Sequence, residues 1–184
     1  VRPVHLDFIK EYRLTEWGAR IAHGMEADDA LGIHQDKIGN GLLDQNEVET
    51  WATIICSIDK DLKMIPGLHY NFVKKEFDMV GRDQGLINFY TQFLVGDVSD
   101  NIKGCTGIGP VKAAKAIAEL GGNPTEEQLF DCVFELYKKQ ETQKSTEEIL
   151  EHLLLIGRLL KIKQHEDEPL WAFPKSKAIK ALIA

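Results

Sequence analysis

The sequence lacks several features that would place it at once in a class of proteins. No stretch approaches the roughly 20 apolar residues that a membrane-spanning helix needs, and the first residues lack the basic-then-apolar order of a secretory signal. Its 3 cysteines are far apart and never spaced as C-x-x-C, which argues against a disulfide framework or a zinc site. We therefore expect a globular, monomeric, cytoplasmic protein without membrane contact.

The sequence also lacks a net positive charge. It has 22 Lys and Arg against 29 Asp and Glu, a net charge of -7, whereas a simple nucleic-acid binder needs clustered basic residues to displace counterions from phosphates. The acids gather early, at 26–29, 59–61 and 97–100, and many basic residues lie downstream of them. This division favours a chain in which one part holds cations and another follows a phosphate backbone, although a mixed solvated surface would give a similar tally.

The hydrophobic pattern changes along the chain. Up to residue 73 it predicts helices at 5–17 and 26–39 and strands at 19–23, 50–57 and 68–73. The run at 50–57 (TWATIICS) is typical of a parallel strand buried on both faces. After Gly81 the pattern predicts helices alone, at 83–94, 110–120, 126–139 and 146–163, the last with a capping box of Ser145 and Glu148. We therefore expect an α/β layer, a boundary near Gly96 and ligands beyond the carboxyl ends of the strands.

Two acidic clusters carry carboxylates two residues apart. Glu26 and Asp28, followed by Asp29, stand where a predicted strand turns into a helix, and capping of that helix explains such acids equally well. Asp59 and Asp61 directly follow the apolar strand. Two ionised carboxylates about 4 Å apart repel by roughly 1 to 4 kcal/mol, so aiming both at one point favours a cation between them, such as Mg²⁺ or Mn²⁺. An acidic loop that faces water is the alternative.

The third acidic cluster, G-D-V-S-D-N-I with Asp97 and Asp100, leads into a glycine turn. On its own it would make a helix cap or an Asx turn. In the following K-G-C-T-G-I-G-P-V-K-A-A, Gly107 and Gly109 permit a tight turn with exposed N–H groups, and Pro110 starts the next helix. This pattern is typical of a helix-hairpin-helix, which grips the DNA backbone without reading bases. An ordinary connection between two helices is the alternative.

Taken in order, G-M-E-A-D-D, S-I-D-K-D-L and G-D-V-S-D-N-I-K-G-C-T-G-I-G-P resemble three consecutive blocks of the flap-endonuclease superfamily. That superfamily includes the 5′-nuclease domain of bacterial DNA polymerase I and the phage 5′-to-3′ exonucleases, and the closing L-W-A-F-P looks closest to the phage group. The resemblance implies a PIN-like (resolvase-like) three-layer α/β/α nuclease domain, here partial, over residues 1–95. It implies an all-α 5′-nuclease C-terminal domain with the helix-hairpin-helix over residues 96–184.

The resemblance also implies hydrolysis of DNA phosphodiesters with two ions of Mg²⁺ or Mn²⁺, in phage DNA replication or in the breakdown of host DNA. Matched position by position, the first ion corresponds to Glu26 and Asp28, with Asp29 beside them as an outer-sphere or shared ligand. The second ion corresponds to Asp59, Asp61 and Asp97, with Asp100 contributing through water. The residues expected at the duplex backbone are Lys103, Gly107, Ile108, Gly109, Lys112 and Lys115, with K⁺ on the hairpin carbonyls. Val111 stands where many relatives have a basic residue.

Family members carry further motifs before this region: a strand ending in a metal-binding Asp, a second acidic strand and a basic arch. These motifs are not visible here, and the chain starts at Val1, so we expect little or no nuclease activity from this fragment alone. A 5′-flap DNA, cut by this chain and by an upstream-extended one, would test that expectation. Two other functions stay open, a non-catalytic duplex DNA-binding module with remnant acids and a metal-dependent RNase.

Overall fold

The computed structural model describes residues 5–41 and 53–183, which form a mixed α/β structure. Within these ranges the chain has seven α-helices, one 3₁₀ helix at Asp61–Met64 and two small sheets. The helices are α1 Leu6–Glu16, α2 Ala27–Gly41, α3 Arg82–Val95, α4 Pro110–Ala118, α5 Glu126–Gln140, α6 Thr146–Leu160 and α7 Lys177–Ile183. None of the helices in the described ranges is long and apolar enough to cross a membrane.

The larger sheet has three strands, β1 Ile54–Cys56, β2 Gly67–Asn71 and β3 Glu76–Val80, in that spatial order. Strands β1 and β2 are parallel, and the 3₁₀ helix lies in the crossover between them. Strands β2 and β3 form an antiparallel hairpin, whose turn is closed by backbone N–H groups donating to the side-chain oxygen of Asn71. The second sheet is a ribbon of two-residue strands, β4 Gly96–Asp97 and β5 Ile102–Lys103.

Helix α3 is at the centre of the hydrophobic core. Its buried residues Phe89 and Phe93 pack against Trp171, with ring centroids 6.1 and 5.3 Å from the indole. The indole lies directly over Gly157 of α6, where a Cβ would come within 2.1 Å of it. Helix α3 also packs on the 3₁₀ helix and on α4, α5 and α6. A single helix therefore connects the strand part of the molecule with the helical part.

The helix predictions agree with the structure to within a few residues. Helices α1 to α6 all lie where the hydrophobic pattern placed them. The capping box at the start of α6 is confirmed, since Ser145 Oγ accepts the N–H of Glu148 and the Glu148 carboxylate accepts the N–H of Ser145 at 2.7 Å. A second box at Thr125 begins α5. Helix α7 was not predicted, because its short apolar stretch gives little helical periodicity.

The strand predictions need correction. No strand forms at 19–23, where the described residues offer the backbone no ladder partner. The strand predicted at 50–57 is confirmed at 54–56, and positions 50–52 lie outside the described residues. It is not buried on both faces, since Ile55 is buried and Ile54 is 44% exposed. Ile55 packs in a small cluster with Leu62 and Ile65, so one face of β1 meets the core.

Candidate metal centre

The loop after β1 positions two of the predicted carboxylates. Ser57 Oγ accepts a hydrogen bond from the N–H of Asp59 at 2.9 Å. Asp59 Oδ1 in turn accepts one from the N–H of Asp61 at 3.0 Å. Such side-chain-to-backbone bonds are typical of Asx and Ser/Thr turns. They fold the polar sequence S-I-D-K-D as a compact turn at the carboxyl end of β1 and start the 3₁₀ helix at Asp61.

The end of α3 positions the next two carboxylates. Gly96 ends the helix with φ 73°, a left-handed conformation that favours glycine, and a Cβ there would lie 2.4 Å from the nitrogen of Gly104. Asp97 follows it, and its Oδ1 accepts hydrogen bonds from the N–H groups of Ser99 at 2.7 Å and Asp100 at 3.3 Å. This turn brings Asp100 beside Asp97 and leaves the second carboxylate oxygen of Asp97 for another partner.

Three of the predicted ligands converge in space. One oxygen each from Asp61, Asp97 and Asp100 lies within 4.8 Å of the others, and we call these three residues the acidic cluster. Asp97 is 1% exposed, and the Nζ of Lys60 lies 3.0 Å from its Oδ2 and 3.9 Å from Asp61 Oδ1. The side-chain amide of Gln92, on α3, donates to Asp61 Oδ1. The acidic cluster thus joins the loop after β1 to the turn after α3, and Lys60 lies against it.

One buried oxygen at the acidic cluster, Oε1 of Gln92, has no hydrogen-bond partner, and Asp97 Oδ2 meets Lys60 alone. Buried polar atoms are normally hydrogen-bonded, so the orphaned oxygen of Gln92 favours a ligand there. The donor set is made of carboxylate and amide oxygens, with no His or Cys, which suits a hard cation such as Mg²⁺ or Mn²⁺.

The electrostatics of the acidic cluster also suit a cation. Burial and the charge of Asp97 raise the pKa of Asp61 to about 6. The ammonium of Lys60, helped by the backbone N–H of Ser99, lowers the pKa of Asp97 to about 2. Asp97 in return raises the pKa of Lys60. Crowded carboxylates cost free energy when all are ionised, and a divalent ion between them would offset that cost.

The predicted ligands of the first ion lie outside the acidic cluster. Glu26 is exposed just before α2, and Asp28 and Asp29 are half-buried in its first turn. Asp29 Oδ1 accepts the backbone N–H of Lys163 at 2.8 Å, so this carboxylate already stabilises the contact of α2 with the chain after α6. Burial and then the charge of Asp59 raise the pKa of Asp28. The negative charge of Asp59 is thus felt at Asp28.

The segment in which the hairpin is predicted, 104–109, connects β5 with α4. Gly107 has φ 73°, and the N–H of Ile108 donates to the carbonyl of Cys105 at 3.1 Å. Gly109 caps α4, and Pro110 is its first residue, which agrees with the preference of Pro for that position. The Nζ of Lys112 donates to the carbonyl of Gly107 at 2.8 Å.

Lysines surround the hairpin, and a glutamate fixes it to the helical core. Lys103, Lys112 and Lys115 are all exposed. The Glu141 carboxylate, at the end of α5, accepts hydrogen bonds from both the hydroxyl and the backbone N–H of Thr106. Sequence reasoning missed Glu141 and also Gln92. Helical periodicity places Gln92 on α3 one turn before Asp97, but no sequence signal relates Glu141 to a loop 35 residues away.

The chain is thus an α/β protein with a candidate divalent-metal centre and a glycine hairpin at the start of a helix. No family model matches it. Among curated proteins it is similar to DNA polymerase I of Deinococcus radiodurans, with 29% identity over 117 residues. That match covers 59% of this chain and spans 11% of the polymerase, which makes the similarity distant and partial.

Proposed function

We propose that this chain is part of a divalent-metal-dependent 5′-to-3′ exonuclease or flap endonuclease that hydrolyses DNA phosphodiester bonds. The observation that carries the proposal is the convergence of Asp61, Asp97 and Asp100 within 4.8 Å, where the chain after β1 meets the turn after α3. The distant similarity to a DNA polymerase I supports DNA as the partner and a nuclease-related role. The setting we propose is phage DNA replication or breakdown of host DNA in a bacterial cytoplasm.

The side chains divide into two ligand groups under this proposal. Asp61 and Asp97, with Asp59, would hold one ion of Mg²⁺ or Mn²⁺, and Asp100 would act through water. Glu26, Asp28 and Asp29 would contribute to the other. Bound ions of this kind neutralise the charge of the scissile phosphate and make a water molecule a better nucleophile. The raised pKa of Asp28, which reflects burial and the nearby charge of Asp59, supports a common site for the two groups.

The hairpin would hold the duplex by its backbone. Gly107, Ile108 and Gly109 present backbone groups at the surface, and Lys103, Lys112 and Lys115 would add phosphate contacts. K⁺ on the same carbonyls, which the proposal also includes, would have to displace the ammonium of Lys112 from the carbonyl of Gly107. In this proposal residues 1–95 are the carboxyl-terminal part of a PIN-like nuclease domain, and residues 96–184 are a helical domain with a helix-hairpin-helix.

Calorimetric titration with Mn²⁺ tests the metal centre, since it needs only the residues described above. We expect wild-type protein to bind Mn²⁺ and the variant Asp97→Asn to bind it at least about tenfold more weakly, because the buried ligand loses its charge. Asp167→Asn is the matched control, as it removes an exposed acid outside the acidic cluster. Equal affinities of wild type and Asp97→Asn would refute the metal centre. With a chain extended upstream, a Mn²⁺-dependent cut in matched DNA flaps rather than RNA flaps would support the proposed substrate.

A second candidate is a non-catalytic duplex DNA-binding module. It is favoured by the position of Asp29, whose carboxylate is engaged by the backbone of Lys163, and of Glu26, which is exposed. A pure binding module would bind DNA through the hairpin and would be indifferent to Mn²⁺ and to the loss of both Asp59 and Asp61. The same titration on the double variant Asp59→Asn, Asp61→Asn therefore separates the two functions.

A further inference from the structure

Lys60 has an unusual position for a surface lysine. Its side chain is 64% exposed, yet its Nζ lies 3.0 Å from an oxygen of Asp97, which is 2% exposed at the side chain. The same Nζ lies 3.9 Å from Asp61. Lys60 stands directly between Asp59 and Asp61 in the sequence, so its backbone is fixed by the turn that also positions these acids. The lysine therefore places a positive charge beside two carboxylates of the acidic cluster, those of Asp97 and Asp61.

We propose that Lys60 is a built-in counter-ion, which compensates the acidic cluster in the absence of metal and which a divalent ion displaces on binding. The inference rests on the proposed function, because it requires that the acidic cluster take a cation. Two positive groups cannot share Asp97 Oδ2 without repulsion, so the ammonium and the metal compete for one buried oxygen. Lys60 thereby lowers metal affinity while it stabilises the metal-free fold.

The surroundings of Lys60 allow this exchange. A cavity of about 610 Å³ lies beside Lys60 and is lined by Lys60, Gln92, Thr91, Asn88 and Asp78 among others. Because the lysine is largely exposed, its ammonium can leave Asp97 by rotation of the side chain without disturbing the core. The polar groups of the cavity, among them Asn88 and Thr91, give the displaced ammonium a hydrated, polar position.

The test compares Lys60→Met with Lys63→Met in two measurements on the whole chain. Lys63 is the matched control because it lies three residues further on and pairs with Asp78 at 2.5 Å rather than with the acidic cluster. In the presence of EDTA, we expect Lys60→Met to lower the thermal midpoint more than Lys63→Met does, since Asp97 loses its counter-ion. With Mn²⁺, calorimetry should show Kd about fivefold tighter than wild type for Lys60→Met and unchanged for Lys63→Met.

The outcomes separate the inference from the proposed function. If wild-type protein binds no Mn²⁺, the metal centre itself is wrong and the inference fails with it. If wild type binds Mn²⁺ but Lys60→Met binds it equally or more weakly, the counter-ion role alone is refuted. Should Lys60→Met fail to fold without metal, Lys60→Gln keeps a hydrogen-bond donor without the charge. Tighter Mn²⁺ binding by Lys60→Gln supports the inference, and wild-type affinity overturns it.

Discussion

A lysine contacts the acidic cluster and another contacts the hairpin, but their partners differ in charge and in burial. The Nζ of Lys60 lies 3.0 Å from a buried carboxylate, and the Nζ of Lys112 lies 2.8 Å from the backbone carbonyl of Gly107 in an exposed turn. The first lysine compensates a full negative charge that has little access to water, whereas the second meets a solvated dipole. The acidic cluster therefore depends on charge compensation, and the hairpin depends on backbone conformation and on its tie to Glu141.

The largest effect should come from the core that supports both regions. Gly157→Ala would place a Cβ 2.1 Å from the ring of Trp171, which packs on Phe89 and Phe93 of α3. We expect a loss of about 3 kcal/mol in the free energy of unfolding, since overpacking a rigid indole forces the core to shift. Urea denaturation measures this loss.

Gly157→Ala should affect the acidic cluster and the hairpin alike. Helix α3 runs into Asp97 at one end and packs on α4, so Mn²⁺ affinity and DNA affinity should fall together in Gly157→Ala. Gly122→Ala is the control, because no atom lies within 4 Å of a Cβ at that position. A wild-type denaturation midpoint for Gly157→Ala would contradict the packing of Trp171 on α6.

The acidic cluster should respond to pH through Asp61. The folded-state pKa of Asp61, about 6, lies above its ordinary value of 3.8, so the folded protein holds this proton more tightly than the unfolded chain does. This contribution to stability is fully present below about pH 4 and is lost as the pH rises to 6 and beyond. In EDTA, raising the pH from about 4.5 to 7.5 should therefore destabilise wild type relative to Asp61→Asn by about 1 kcal/mol, after allowance for solvent screening.

Mn²⁺ should reverse the order of these two proteins at neutral pH, because the ion binds the ionised carboxylate and stabilises the state that binds it. Urea denaturation in parallel series, with EDTA and with Mn²⁺, measures both effects. Asp167→Asn serves as the control, since it removes an acid of the same type from an exposed loop. A pH dependence shared by wild type and Asp61→Asn would place the titrating group elsewhere.

The hairpin should respond to backbone changes instead. Gly107 has φ 73°, and a Cβ there would meet no atom closer than 3.8 Å, so Gly107→Ala tests conformation without a steric clash. We expect it to cost up to about 1 kcal/mol of stability. Gly109→Ala is a matched comparison, because Gly109 has an extended backbone and open space around it. That variant should lose less stability than Gly107→Ala, since only the N-cap preference for glycine over alanine is lost, and it should weaken duplex binding, measured by fluorescence anisotropy. Equal stability losses would show that φ is not what Gly107 contributes.

The sequence predicts the local structure of this protein better than the connections between distant parts. Periodicity and capping residues suffice for α3 and α6, because those signals lie within one helix. The i, i+2 acids and the G-I-G-P turn predict candidate sites in the same way. The ion pair of Lys60 with Asp97, and the bond from Asp29 to the backbone of Lys163, depend on tertiary packing. No short-range pattern encodes such contacts. The spacing of the acids therefore could not show which carboxylates converge and which one accepts a backbone hydrogen bond instead.

Strand β3 also depends on a contact between separate parts of the chain. Residues 76–79 alternate polar and apolar, as in a half-buried strand, yet Phe77 and Met79 are 64% and 58% exposed, so the alternation does not report burial here. The strand forms because β2 offers hydrogen-bonding groups and the turn at Asn71 directs the chain back. Pairing in space, rather than amphipathic pattern, decides the structure of this segment.

The ribbon of β4 and β5 fixes the position of the hairpin relative to the end of α3. Gly96 pairs with Lys103 and Asp97 with Ile102, and the N–H of Cys105 donates to the carbonyl of Leu94 at 2.9 Å. This brace ties the start of the hairpin to the end of α3 and leaves the tip at Val98, which is 94% exposed, outside the brace. Under the proposed function the ribbon would hold the hairpin at a fixed distance from the acidic cluster. That distance would set the number of nucleotides between the DNA backbone bound by the hairpin and the bond that is cut.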